Sequence, residues 1–181
     1  MSLTLLIDSV HSELSVALVS DKEAVWKTFA EQKVHDKNLI RLIKELLAEQ
    51  RKSFDDIDAY AAVVGPGSWT GCRVGVTAVK GFCFALPKPV FALNSLDALG
   101  DPAALRSNLD NYYIKRGDNY TYEKLDSTEG YATLSDINTY RHNLIEQLKN
   151  VKQISASELV PFYVADFKAG SKQEPRATKK S

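Results

Sequence analysis

Gly65-Pro66-Gly67-Ser68-Trp69-Thr70-Gly71 joins two very different stretches of chain. Before it, Tyr60-Ala61-Ala62-Val63-Val64 is a short apolar run, the pattern of a buried strand. After it, Arg73 to Leu86 carries small and apolar residues without a proline, as a buried helix does. A glycine turn between strand and helix lets a neighbouring backbone or a ligand come close. Gly67 and Gly71 are expected in backbone conformations that disfavour side chains. Ser68 and Thr70 add hydroxyls that can cap the helix or bind an anion at its positive end.

Working outward, Leu3–Ile7, Leu14–Val19 and Ala24–Phe29 read as three strands joined by short turns. A helix over Asp36–Gln50 follows, then the Tyr60 strand, the glycine loop with its helix, and a strand over Pro89–Ala92. Hairpin-linked strands followed by alternating helix and strand predict an α/β fold, a mixed sheet flanked by helices. Beyond Gly100 the pattern weakens. Asn111–Tyr122 predicts a tyrosine-rich hairpin turning at Gly117-Asp118, so Arg116-Gly117-Asp118 is turn chemistry. Ser135–Val151 predicts a capped helix with Ile137, Leu144, Ile145 and Leu148 inward.

GPGSWTGCRVG resembles the signature of the TsaB (YeaZ) family, whose usual form has Phe where this chain has Trp69. LTLLIDSVHSELSVALVS, a helix led by His35, and VFALNSLDAL fall in the family's order. The resemblance is good over about residues 3–99 and weak beyond. It implies the actin/Hsp70/sugar-kinase-like (ribonuclease H-like) fold. It also implies a partner role in threonylcarbamoyl-adenosine (t6A) modification of transfer RNA. The expected divisions are an actin-like lobe over 1–99, a reduced second lobe over 100–167, and a disordered basic tail over 168–181. Pro161-Phe162-Tyr163-Val164 resembles the family's short closing segment.

Composition narrows the function classes. The 181 residues are 44% hydrophobic and 25% charged, ordinary for a soluble globular protein. From Lys168 onward five residues are basic and one is acidic. The remainder therefore holds 23 − 5 = 18 basic against 23 − 1 = 22 acidic residues. Such a body lacks the basic face of a nucleic-acid reader, so transfer RNA is expected to be met only indirectly. Leu3–Ile7 is too short for a signal-peptide core, and no stretch approaches the ~20 apolar residues of a membrane span. Cys72 and Cys83 would lie ~16 Å apart along one helix, too far to pair, and a reducing cytoplasm suits them.

An enzyme of this superfamily needs a phosphate-gripping hairpin and an acid. Asp8 ends the first strand, where a carboxylate can hold magnesium or a water, or simply cap the turn. The hairpin that follows, Asp8 to Glu13, has no glycine and adds a carboxylate, which opposes phosphate binding. Asp8 is therefore expected as the remnant of a nucleotide site, with ATP or ADP held only at a partner interface. His11, His35 and His142 lack metal-site spacing, so no metal is expected. Cys72 lies near a helix start, which favours a thiolate, but no base is visible beside it. No catalytic residue is expected.

Leu39, Ile40, Leu42, Ile43, Leu46 and Leu47 span an arc of about 160°, wider than the ~100° that docking on a sheet requires. The glycine-loop helix spreads Val74, Val76, Ala78, Val79, Phe82, Phe84, Ala85 and Leu86 around its axis, with Gly75, Ala78 and Gly81 as a small-residue side. Such surplus apolar surface makes either an interface or a crowded core. The resemblance implies an interface through Leu39, Leu42, Ile43, Leu46, Gly75, Ala78, Val79 and Phe82. Its partner would be a TsaD-like subunit in a heterodimer, with a TsaE-like ATPase in the larger complex. Open alternatives are a homodimeric scaffold using the same helices, or an enzyme using Asp8 and loop 65–71. That enzyme would be a nucleotide-dependent transferase or a peptidase of the M22 type.

Overall fold

A computed structural model describes residues 3–30, 35–108 and 110–164. The tail expected over 168–181 lies outside the described residues. Five strands form the main sheet: β1 (Thr4–Asp8), β2 (Leu14–Val19), β3 (Ala24–Phe29), β4 (Ala59–Gly65) and β5 (Val90–Asn94). Their order is β3-β2-β1-β4-β5. β1 runs antiparallel to β2 and parallel to β4, with Ile7 opposite Val16 on one side and Ala62 on the other. The sheet is mixed, as the order of hairpins and crossovers predicts.

Both faces of the sheet are covered, so β1, β2 and β4 are apolar nearly throughout rather than alternating. On one face Leu5, Ile7, Val16 and Leu18 meet α1 (His35–Glu49) and α2 (Trp69–Ala85). On the other, Leu6, Ala17, Ala61, Val63 and Leu93 meet the short α3 (Ser95–Leu99) and α4 (Ile137–Asn150). A second sheet stacks β6 (Ala103–Asn108), β7 (Asn111–Arg116) and β8 (Asn119–Lys124) in that order. Leu105 and Ala103 pack it onto Leu96 of α3. Gly117 makes the β7–β8 turn at φ 58°.

Several boundaries differ from the sequence expectation. α2 begins at Trp69 rather than Arg73, so half of the glycine stretch is helix. β6 carries no β-branched or aromatic residue and gives no strand signal. α4 starts at Ile137, capped by the Asp136 carboxylate, which accepts from the Asn138 and Thr139 amides. Ile137, expected inward, is exposed; Leu144 is buried as expected, and Tyr140 joins it in the core.

Tyr60 is wholly buried on β4, and its hydroxyl has no hydrogen-bond partner. Burial raises its pKa. A stranded buried hydroxyl costs ~1–3 kcal/mol, so Tyr60→Phe should stabilise the fold by about 1 kcal/mol in urea denaturation. A loss of that size instead would show that the hydroxyl is satisfied.

Candidate functional site

The loop from β4 to α2 lies against the β1–β2 turn. Within the loop only Gly65 has a left-handed backbone, at φ 118°. Gly67 and Gly71 do not, which corrects the expected reason for their being glycine: it is close approach. A Cβ on Gly67 would stand 2.4 Å from the Val10 carbonyl oxygen, and one on Gly71 1.9 Å from that of Ser9. Gly75, one turn further along α2, faces Ser9 Oγ at 2.8 Å. Three glycines four residues apart thus form a groove in α2 and its entry that receives Ser9 and Val10.

Hydrogen bonds fasten this contact. The Ser68 amide donates to the Val10 carbonyl at 2.7 Å, and Ser9 Oγ donates to the Gly71 carbonyl at 2.7 Å. Ser68 Oγ accepts from the Gly71 amide at 3.2 Å, as an N-cap. Ser95 Oγ donates to the Pro66 carbonyl at 2.5 Å, and the Tyr113 hydroxyl reaches the Gly67 carbonyl at 3.4 Å. The Phe162 amide donates to the Val64 carbonyl at 2.8 Å, drawing the closing segment onto the same end of the sheet. Phosphate cradles work through free backbone amides, and here the Ser68 and Gly71 amides are occupied internally.

Asp8 is buried at the end of β1, and its Oδ1 accepts from the Val10 amide at 3.2 Å. Oδ2 lies 4.0 Å from His11 Nε2, which is buried without a partner. The His11 ring meets Tyr140 edge-on at 4.9 Å. The Tyr140 hydroxyl is also buried without a hydrogen bond; burial, then the Asp8 carboxylate, lifts its pKa well above normal. Burial, with Asp8 second, pushes the Cys72 thiol up to about 12. A thiol so shifted is almost wholly protonated near neutral pH and is a poor nucleophile. Among the described residues no three of His, Cys, Asp and Glu gather as a metal site. The side chain of His35 lies outside the described residues.

On the outer side of the loop, Trp69 stacks on Tyr163 with ring centres 4.0 Å apart. Arg73 lies over Trp69 at 4.3 Å, and its Nε donates to the Tyr163 hydroxyl at 3.2 Å. Thr70 is exposed. Phe162 and Tyr163, in the segment that resembles the family's closing one, join this end of the sheet; so does Tyr140, which no local pattern announces.

The proposed interface residues divide. Leu39, Leu42, Ile43 and Leu46 are buried against β2 and β3, and Gly75 and Val79 are buried beneath α2. They are the core of the isolated chain, because two helices share one sheet face and each needs a wide apolar arc. Ala78 and Phe82 are half-buried. The apolar surface left outside is Phe84, 92% exposed near the end of α2, and Ile40, 43% exposed on α1. Sequence reasoning had not singled out Phe84 as a site residue.

A family model described as TsaD, tRNA N6-adenosine threonylcarbamoyltransferase, matches residues 29–111. The tRNA threonylcarbamoyladenosine biosynthesis protein TsaB of Haemophilus influenzae is 35% identical over 103 residues, 56% of this chain and 44% of that protein. Over this stretch the chain is similar to the TsaB (YeaZ) family and to its TsaD relatives. A tRNA N6-adenosine threonylcarbamoyltransferase of Chelativorans sp. is 37% identical over 82 residues, 45% of this chain and 23% of that one. The chain thus spans less than half the length of these curated relatives.

The likeness in fold reaches further along the chain than the likeness in sequence. YeaZ from Pseudomonas aeruginosa superposes with a TM-score of 0.68 at 21% identity, over 90% of this chain and 100% of that one. A second structure, an uncharacterized protein with similarity to peptidase YEAZ from Pseudomonas aeruginosa, reaches 0.75 at 19% identity, over 91% and 100%. The fold shared with both is a mixed sheet flanked by helices.

Proposed function

We propose that this chain is a non-catalytic partner of a TsaD-like subunit in t6A biosynthesis, activating it by forming a heterodimer in the cytoplasm. A TsaE-like ATPase would join the larger complex, and transfer RNA would be met only through the partner. The observation that carries the reading is the glycine groove: Ser9 and Val10 fill the place where a phosphate would have to approach the loop. Burial raises the pKa of the Cys72 thiol, which argues against a cysteine nucleophile beside the loop. Two unpaired buried cysteines suit a reducing compartment. No helix among the described residues is long and apolar enough to cross a membrane.

The partner surface we assign is the exposed side of α2 around Phe84, with Ile40 as the exposed apolar residue of α1. Burying a phenylalanine stabilises a complex by ~1.5–3 kcal/mol, and a buried carboxylate costs more. Phe84→Glu should therefore fold like the parent yet bind a TsaD-like subunit from the same source about a hundredfold more weakly, measured by calorimetry. The isolated chain should show no ATP turnover. Parent-like binding by Phe84→Glu would sink the interface, and so would self-association through Phe84 with no affinity for the TsaD-like subunit. ATP turnover that vanishes in Asp8→Ala would restore the enzyme reading.

A further inference from the structure

A groove of about 370 Å³ opens between the β2–β3 turn and α4. Trp26 and Ile145 are among its apolar lining, and Arg141 projects into its lining from α4. The Arg141 guanidinium lies over the Trp26 ring at 4.9 Å. One of its terminal nitrogens, Nη2, donates to Ser15 Oγ at 3.1 Å and Thr28 Oγ1 at 2.5 Å. Its Nε is buried without any partner. No carboxylate among the described residues comes within ion-pair distance of it, although Glu146 on the same helix pairs with Lys149 at 2.5 Å. A half-buried guanidinium normally faces an anion, and its fork fits the two oxygens of a carboxylate or phosphate.

We propose that this groove binds a small molecule bearing one oxyanion head, with Arg141 as the anion-binding residue. Lys22 and His142 line the groove as further cationic or proton-donating partners. Asp21, Glu23 and Glu146 line it too. With Lys149 also in the lining, three carboxylates balance three cations, a charge pattern that favours one anionic head over a polyanion. The volume is at the lower end for organic ligands, enough for a ring or short chain lying along Trp26 behind the head group. Carboxylate and phosphate heads share this chemistry, and the experiment separates them.

Trp26 is the reporter, in a Trp69→Phe background that leaves it as the only tryptophan. Titration with benzoate, phenyl phosphate and inorganic phosphate should give a saturable change in Trp26 fluorescence for at least one of the organic anions. Inorganic phosphate should bind more weakly, since it leaves the apolar floor uncovered. Arg141→Gln, folded by circular dichroism, should weaken the binding at least tenfold. If Arg141→Gln does not fold, amide shifts in the parent locate the anion. Shifts confined to residues 20–28 and 138–149 support the site, and shifts elsewhere overturn it. No saturable response to any of the three at millimolar concentration overturns it, as does unchanged affinity in folded Arg141→Gln.

Discussion

Leu46→Glu is expected to unfold the chain, with loss of the helical circular-dichroism signal under native conditions. Leu46 is 1% exposed, and α1 sets it with Leu42, Ile43 and Leu47 against the apolar face of β2. A carboxylate placed there either stays charged without a partner or becomes protonated, and both cost several kcal/mol. The whole fold is worth about 5–15 kcal/mol, so one such change consumes most of it. Ala48→Glu, two residues on and exposed, is the control and should melt like the parent. A folded Leu46→Glu chain that merely fails to assemble would show that α1 turns this edge outward. The buried packing against the sheet would then be wrong.

Gly71→Ala should cost about 3 kcal/mol, lowering the melting temperature by roughly 10 °C. The new methyl would stand 1.9 Å from the Ser9 carbonyl oxygen and 2.9 Å from its carbon. Both are backbone atoms in the turn that Asp8 and the Ser9–Gly71 hydrogen bond hold in place, so relief requires moving β1–β2 away from α2. Gly67→Ala meets the Val10 carbonyl at 2.4 Å and should behave similarly. Gly81→Ala provides the contrast: nothing lies within 4 Å of its Cβ position. There alanine's better helix propensity should add ~0.5–1 kcal/mol. If Gly71→Ala melts like the parent, the glycine groove does not hold the turn, and the phosphate argument built on it falls as well.

How far the chain explains itself depends on the reach of each signal. The Tyr60 strand, the glycine loop and the helix after it are legible because the pattern is local: apolar run, turn, apolar helix in 25 residues or so. β6 is not legible, because Ala103–Asn108 has no β-branched or aromatic residue and is made a strand by pairing with β7. The glycine stretch announces close approach, but which backbone approaches is settled only when β1 lies parallel to β4 and brings Ser9 and Val10 over α2. Likewise the six apolar residues of α1 announce a wide buried arc. Only the sheet decides that Leu39, Leu42, Ile43 and Leu46 face inward, leaving Phe84 on α2 as the exposed anchor.

By itself, the sequence determined the periods and the turns, and through them the mixed sheet with helices on it, since backbone propensity and side-chain spacing act between near neighbours. Tertiary structure alone decided that Tyr140 sits against Asp8 and His11, that burial raises the pKa of the Cys72 thiol, and that Arg141 lies over Trp26 with no carboxylate beside it among the described residues. Those properties are set by what stands opposite a side chain in space. Burial, desolvation and pairing arise between residues far apart along the chain, beyond the range of any local pattern.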